Sequence, residues 1–138
     1  LESWTKWNER ARNFGGTAKY SIRFNRPARA AAYLLDLGDV AESAIVYLNG
    51  NKIATLFARP FKVELKDLKI SDNLLEVHVT NLAANRIRDL DRRNIRWRIF
   101  HDINFVNLDY KNFDASDWPV KESGLLGPVT VQPMRRVN

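Results

Sequence analysis

The chain has 138 residues, 45% hydrophobic and 11% aromatic, with a formal net charge of +6 and no cysteine. This length suits one domain that buries about two-thirds of its unfolded surface, and the composition argues against disorder. Without cysteine there is no disulfide, thiol nucleophile or thiolate metal site.

No apolar run approaches the roughly 20 residues that span a bilayer, so no membrane span is expected. No signal peptide is visible. The chain opens on Leu1 rather than methionine, and it reads as a single domain over residues 1–138 excised from a larger protein.

The first thirteen residues hold Trp4 and Trp7 but no clear period, and read as an entry segment. Gly15 and Gly16 mark a turn. "GTAKYSIRF" then alternates, with Ala18, Tyr20, Ile22 and Phe24 on one face, as a half-buried strand does. "AYLLDL" gives a second strand, and "GDVAE" reads as a polar connection. "SAIVYL" is apolar on both faces and therefore central. Asn49–Gly50 follows at once and tolerates the positive φ angles of a tight hairpin, with "KIATLF" returning. "FKVEL" alternates next, and Leu68 and Ile70 are expected to tuck beneath the following turn. "LLEVHVT" places Leu75, Val77 and Val79 inward, and "GPVTVQP" supplies a last short strand.

Short strands separated by turns predict an all-β, antiparallel β-sandwich. The anomaly is residues 81–123, longer than the roughly 12–15 residues usual for a loop in a compact domain. Its aromatics, Trp97, Phe100, Phe105, Tyr110, Phe113 and Trp118 among them, predict an ordered loop over one end or face, with a helical turn near Leu82 to Arg88.

Chemistry can be weighed residue by residue. Paired-carboxylate hydrolysis needs one acid with a raised pKa. The candidate acids Asp89, Asp91, Asp102, Asp109, Asp114 and Asp117 lie among arginines, which lower carboxylate pKa. His78 and His101 have no metal-ligand spacing. Calcium takes carboxylate and carbonyl oxygens, and "LGDVAES" or the aspartate-rich loop offers these without a specific pattern, so a structural calcium stays open and no other cofactor is expected. Acids alternate with the arginines of "RIRDLDRRNIRWRIFHD", which speaks against nucleic acid. Trp97, Tyr110, Trp118, Asn85 and Arg86 are the residue types that contact carbohydrate, and core packing is the competing role for each aromatic.

"YLLDLGDVAESAIVYLNGNKIATLFARPFKVEL", followed by "NLLEVHVTNLAANRIRD", resembles the sugar-binding, galactose-binding-like jelly roll of family 2 glycoside hydrolases. With the opening "SWT" and "FGGTAKY" and the closing "SGLLGPV", the chain is more specifically similar to the C-terminal domain of family 106 α-L-rhamnosidases. The pattern departs from that family at Phe57-Ala58-Arg59-Pro60, at Ala83 and Ala84, and at "RDLDRR".

The resemblance implies catalytic acids in a separate barrel of the same parent chain, an accessory domain with no catalysis of its own, and a periplasmic or extracellular parent that cleaves rhamnosyl linkages. An autonomous carbohydrate-binding lectin and a structural spacer are the alternatives. For Asn81, Asn85 and Arg86 three roles stay open: docking against the catalytic domain, closing the loop, or touching sugar.

Overall fold

The computed structural model describes residues 1–99, 106 and 108–135. After a 3-10 turn at Trp4–Lys6 and a one-turn helix α1 (Glu9–Arg12), the chain forms β1 (Thr17–Phe24), β2 (Tyr33–Asp36), β3 (Asp39–Ala41), β4 (Ser43–Leu48), β5 (Asn51–Leu56), β6 (Lys62–Leu65) and β7 (Asn73–Thr80). Helix α2 (Ala84–Arg92) comes next, and β8 (Gly124–Gly127) and β9 (Thr130–Pro133) end the described elements.

One antiparallel sheet has the order β1-β7-β4-β5. The opposing layer joins β6-β2-β9 with a β3-β8 ladder, again antiparallel. Alternation explains the core between them. Ala44, Val46 and Leu48 of β4, and Leu75, Val77 and Val79 of β7, meet Tyr33 and Leu35 of β2, Val40 of β3 and Leu125 of β8, all in one buried cluster. The architecture is an antiparallel β-sandwich, and β4 lies between β5 and β7 as its two apolar faces require.

The hairpin at Asn49–Gly50 forms as expected, with φ of 51° and 85°. Gly38 has a different constraint. A Cβ there would lie 2.4 Å from the carbonyl carbon of Gly127, so only glycine lets the β2–β3 bend cross the β8–β9 bend.

Four expectations need correction. "GDVAE" is not a plain connection: it contains β3, whose Val40 is buried. "GLLG" forms β8, which its two glycines conceal in the sequence. Ile22 and Ile70 are largely exposed, at 60% and 76%, because β1 is a sheet edge that the second layer only partly covers and the turn after Leu68 leads away from the core. Residues 81–123 are not one loop, since helix α2 fills their first third. Trp4 of the entry segment is a core residue, whereas Trp7 is exposed.

Candidate functional site

The end of the sandwich beyond β7 is built on side chains that imitate backbone. Asn81 carries the β1–β7 pairing one step past the ladder: its Oδ1 accepts from Gly16 N at 2.9 Å, and its Nδ2 donates to Phe14 O (2.9 Å) and Ser123 Oγ (3.0 Å). Asn85, in the first turn of α2, pairs with both backbone groups of one residue. Its Nδ2 donates to Lys121 O (2.7 Å) and its Oδ1 accepts from Lys121 N (2.8 Å). Ser123 completes the cluster by donating its N–H to Ser3 Oγ at 2.9 Å. Both asparagines and both serines are buried. Burying such groups is tolerable only because each amide is matched.

Helix α2 has no side-chain cap at its N-terminus. Two inward acids hold it instead. Asp89, buried, accepts from Asn13 Nδ2 (2.9 Å), from the Arg93 guanidinium (2.6 Å at its shortest) and from Arg86 Nη1 (3.4 Å). Asp91 accepts from the Trp97 indole N–H (2.7 Å), Arg98 Nη2 (3.0 Å) and Ala115 N (2.8 Å). Burial alone would raise the Asp91 pKa; the hydrogen bonds from Trp97, Ala115 and Arg98 outweigh it and hold the carboxyl below its ordinary value. Phe113 stands edge-on to both Trp97 (6.1 Å) and Trp118 (5.4 Å), and the Arg98 guanidinium lies 5.4 Å from its ring centre. Asp91, Trp97, Arg98, Asn112 and Phe113 border a depression of about 540 Å³.

The structure therefore divides the candidate residues. Asn81 and Asn85 work from inside, closing the loop, and do not turn their amides outward. Arg86 is half exposed beside Asp89. Trp97 is partly buried against Asp91. Trp118 is 39% exposed, and its carbonyl accepts from Arg88 Nε at 2.6 Å. Tyr110 is 81% exposed. Phe100, His101, Asp102 and Phe105 lie outside the described residues. Sequence reading missed Ser3, Asn13 and Ser123 as partners of this cluster; an isolated serine carries no signal of a contact 120 residues away.

This arrangement is suited to holding rather than reacting. Asp89 is spent on guanidinium and amide donors, and Asp91 on indole, guanidinium and backbone donors. Asp114 accepts from Ser116 N at 2.9 Å. In "LGDVAES", Asp39 pairs with Arg59 at 2.8 Å. Among the described residues no three His, Asp or Glu side chains gather as a metal-holding group. No helix among them is long and apolar enough to cross a membrane.

Sheet order and register define an antiparallel β-sandwich domain, and the proteins it matches place it among the domains carried by glycoside hydrolases. The chain is 34% identical to the "Putative beta-glucuronidase" of Formosa agariphila, an alignment covering 95% of this chain but only 13% of that protein. It superposes on the structure of a rhamnosidase from Novosphingobium sp. PP1Y with a TM-score of 0.73 and 27% identity, over 95% of this chain and 12% of that one. A beta-galacturonidase from Eisenbergiella tayi shares the fold at a TM-score of 0.60 and 18% identity, covering 97% of this chain and 19% of that one. No family model matches the chain. The chain thus spans about an eighth of the length of the first two relatives.

Proposed function

We propose that this chain is a non-catalytic accessory domain of a multidomain glycoside hydrolase, which packs on the catalytic domain and helps shape its carbohydrate cleft. One observation carries the reading: nearly all of this chain corresponds to a small share of relatives named as a beta-glucuronidase and a rhamnosidase. The local chemistry supports it, because the acids of the α2 end are neutralised by arginine and indole donors rather than poised in pairs. In this reading the parent is an exported, rhamnosidase-like hydrolase. The exposed side chains around α2, Arg86 and Trp118 foremost, meet the catalytic domain, while Asn81 and Asn85 keep that surface in shape.

The test uses the full-length hydrolase. Replacing Arg86 and Trp118 by alanine should lower kcat/KM on the polymeric substrate by about tenfold, the loss expected from one removed anchor, while a melting curve shows the domain still folded at the assay temperature. Unchanged turnover would make the domain a spacer. Hydrolysis of nitrophenyl glycosides by this chain alone would overturn the reading.

A further inference from the structure

A second cleft, of about 570 Å³, lies between the β5–β6 connection, strand β3 and residues 120–122. Its lining is divided by chemistry. Phe61, Val40 and Leu126 supply apolar surface, and Phe61 and Val40 belong to the core. Phe57 stands on the same cleft with 81% of its surface exposed, and Val120 with 39%. The polar lining comes from the Asp39–Arg59 ion pair and from Glu42 and Glu122, neither of which is ion-paired among the described residues.

Both walls are fixed before any guest arrives. On one side Asn85 grips the Lys121 backbone with two hydrogen bonds, and Arg88 holds Trp118 O. On the other, Phe61 O accepts from Leu37 N at 2.9 Å, and Arg59 is tied to Asp39. A preorganised wall loses little conformational freedom on binding.

These features select a guest. Apolar and aromatic surface beside polar groups asks for a molecule that is apolar on one face and hydrogen-bonding at its edges. Two unpaired carboxylates ask for donors, and a covering apolar protein surface would bury them at a cost. With Asp39 paired to Arg59, Glu42 and Glu122 outnumber Lys121, which disfavours an anionic guest such as a uronate.

We propose that this cleft binds a pyranose ring of a neutral saccharide, with the apolar face of the sugar on Phe57 and its hydroxyls donating to Glu42 and Glu122. The choice of a saccharide rests on the glycoside-hydrolase reading above; the site does not depend on docking through Arg86 and Trp118, so the two can fail separately.

Titration of this chain with cellohexaose and laminarihexaose, followed by calorimetry and amide NMR shifts, tests the site. At least one hexasaccharide should bind in the millimolar range or tighter. Phe57→Ala should weaken it about tenfold without lowering the melting temperature, Glu42→Gln and Glu122→Gln should weaken it less, and Ile22→Ala should leave it unchanged. Absence of binding by both sugars would overturn the proposal, as would equal binding by Phe57→Ala or a preference for tetragalacturonate. If Phe57→Ala spares sugar binding but disrupts association with the rest of the hydrolase, the cleft is a protein-docking anchor and the saccharide site is refuted.

Discussion

Strand β7 runs between two asparagine-bonded ends that use the same chemistry at different range. At its start, Asn73, fully buried, accepts from Lys69 N and donates to Lys69 O, both at 2.9 Å and only four residues away. Its neighbour Asn49, in the hairpin turn, accepts from Leu74 N at 2.9 Å. Beyond the other end, Asn81 reaches residues 14, 16 and 123, and Asn85 reaches residue 121. The first end is closed by the Lys69 turn and by strands already paired with β7, through Asn49 and Phe24 O. The second exists only when the entry segment, α2 and the 118–123 segment have all arrived. Local closure makes an end self-sufficient, whereas remote closure makes it depend on the whole fold.

The contrast can be broken most forcefully at Asn85. Asn85→Ala strips Lys121 N of its partner and leaves Lys121 O only the 3.3 Å bond from Ser123 Oγ, and should cost about 2 kcal/mol by urea denaturation, at about 1–3 kcal/mol per unsatisfied group. Asn85→Asp should not rescue it, because the donor to Lys121 O is still missing. At the local end Gly50→Val should cost about 1–2 kcal/mol, since valine resists the positive φ of the turn and Gly50 has open space around it, so conformation alone is at stake. An unchanged melting temperature would refute that account.

A smaller effect sharpens the role of Asp91. Its pKa is depressed in the folded chain, so the unfolded chain takes up the proton more readily. Its contribution is therefore complete above the ordinary aspartate value of about 4 and fades as pH falls through the lower folded value. Asp91→Asn should be less stable by about 1 kcal/mol at neutral pH, and the gap to the parent chain should narrow on acidification in pH-dependent urea melts. A gap constant from pH 7 to 3 would refute that role. The smallest change is expected at Tyr110. Exposed as it is, Tyr110→Ala should shift stability by no more than about 0.5 kcal/mol.

The same contrast explains what the sequence made legible. β1, β7 and the β4–β5 hairpin were readable because alternation and Asn-Gly are local signals. Strands β3 and β8 were not, being three and four residues long and, in β8, half glycine. Helix α2 was visible only as a turn, since it is polar, lacks a capping side chain and buries Asn85 and Asp89 where a hydrophobic stripe is usual. The Thr80–Arg86 stretch stood out by composition, but the side-chain partners of Asn81 and Asn85 are 36 to 67 residues away, and composition does not carry that information. The exposed face of Phe57 was equally silent, for a phenylalanine after a strand reads as core.

The Ser3–Ser123 contact has a mechanical consequence. Trp4 N donates to Ser123 O at 3.0 Å, and Ser123 N donates to Ser3 Oγ, so the entry segment is clasped to the chain just before β8. Tension applied between residues 1 and 123 would load this clasp before it reached β1 and β7, and the sandwich would be shielded until the clasp gave way. Optical-trap pulling should therefore show an early rupture step that Ser3→Ala weakens, and a single rupture indifferent to that substitution would show that the load bypasses it.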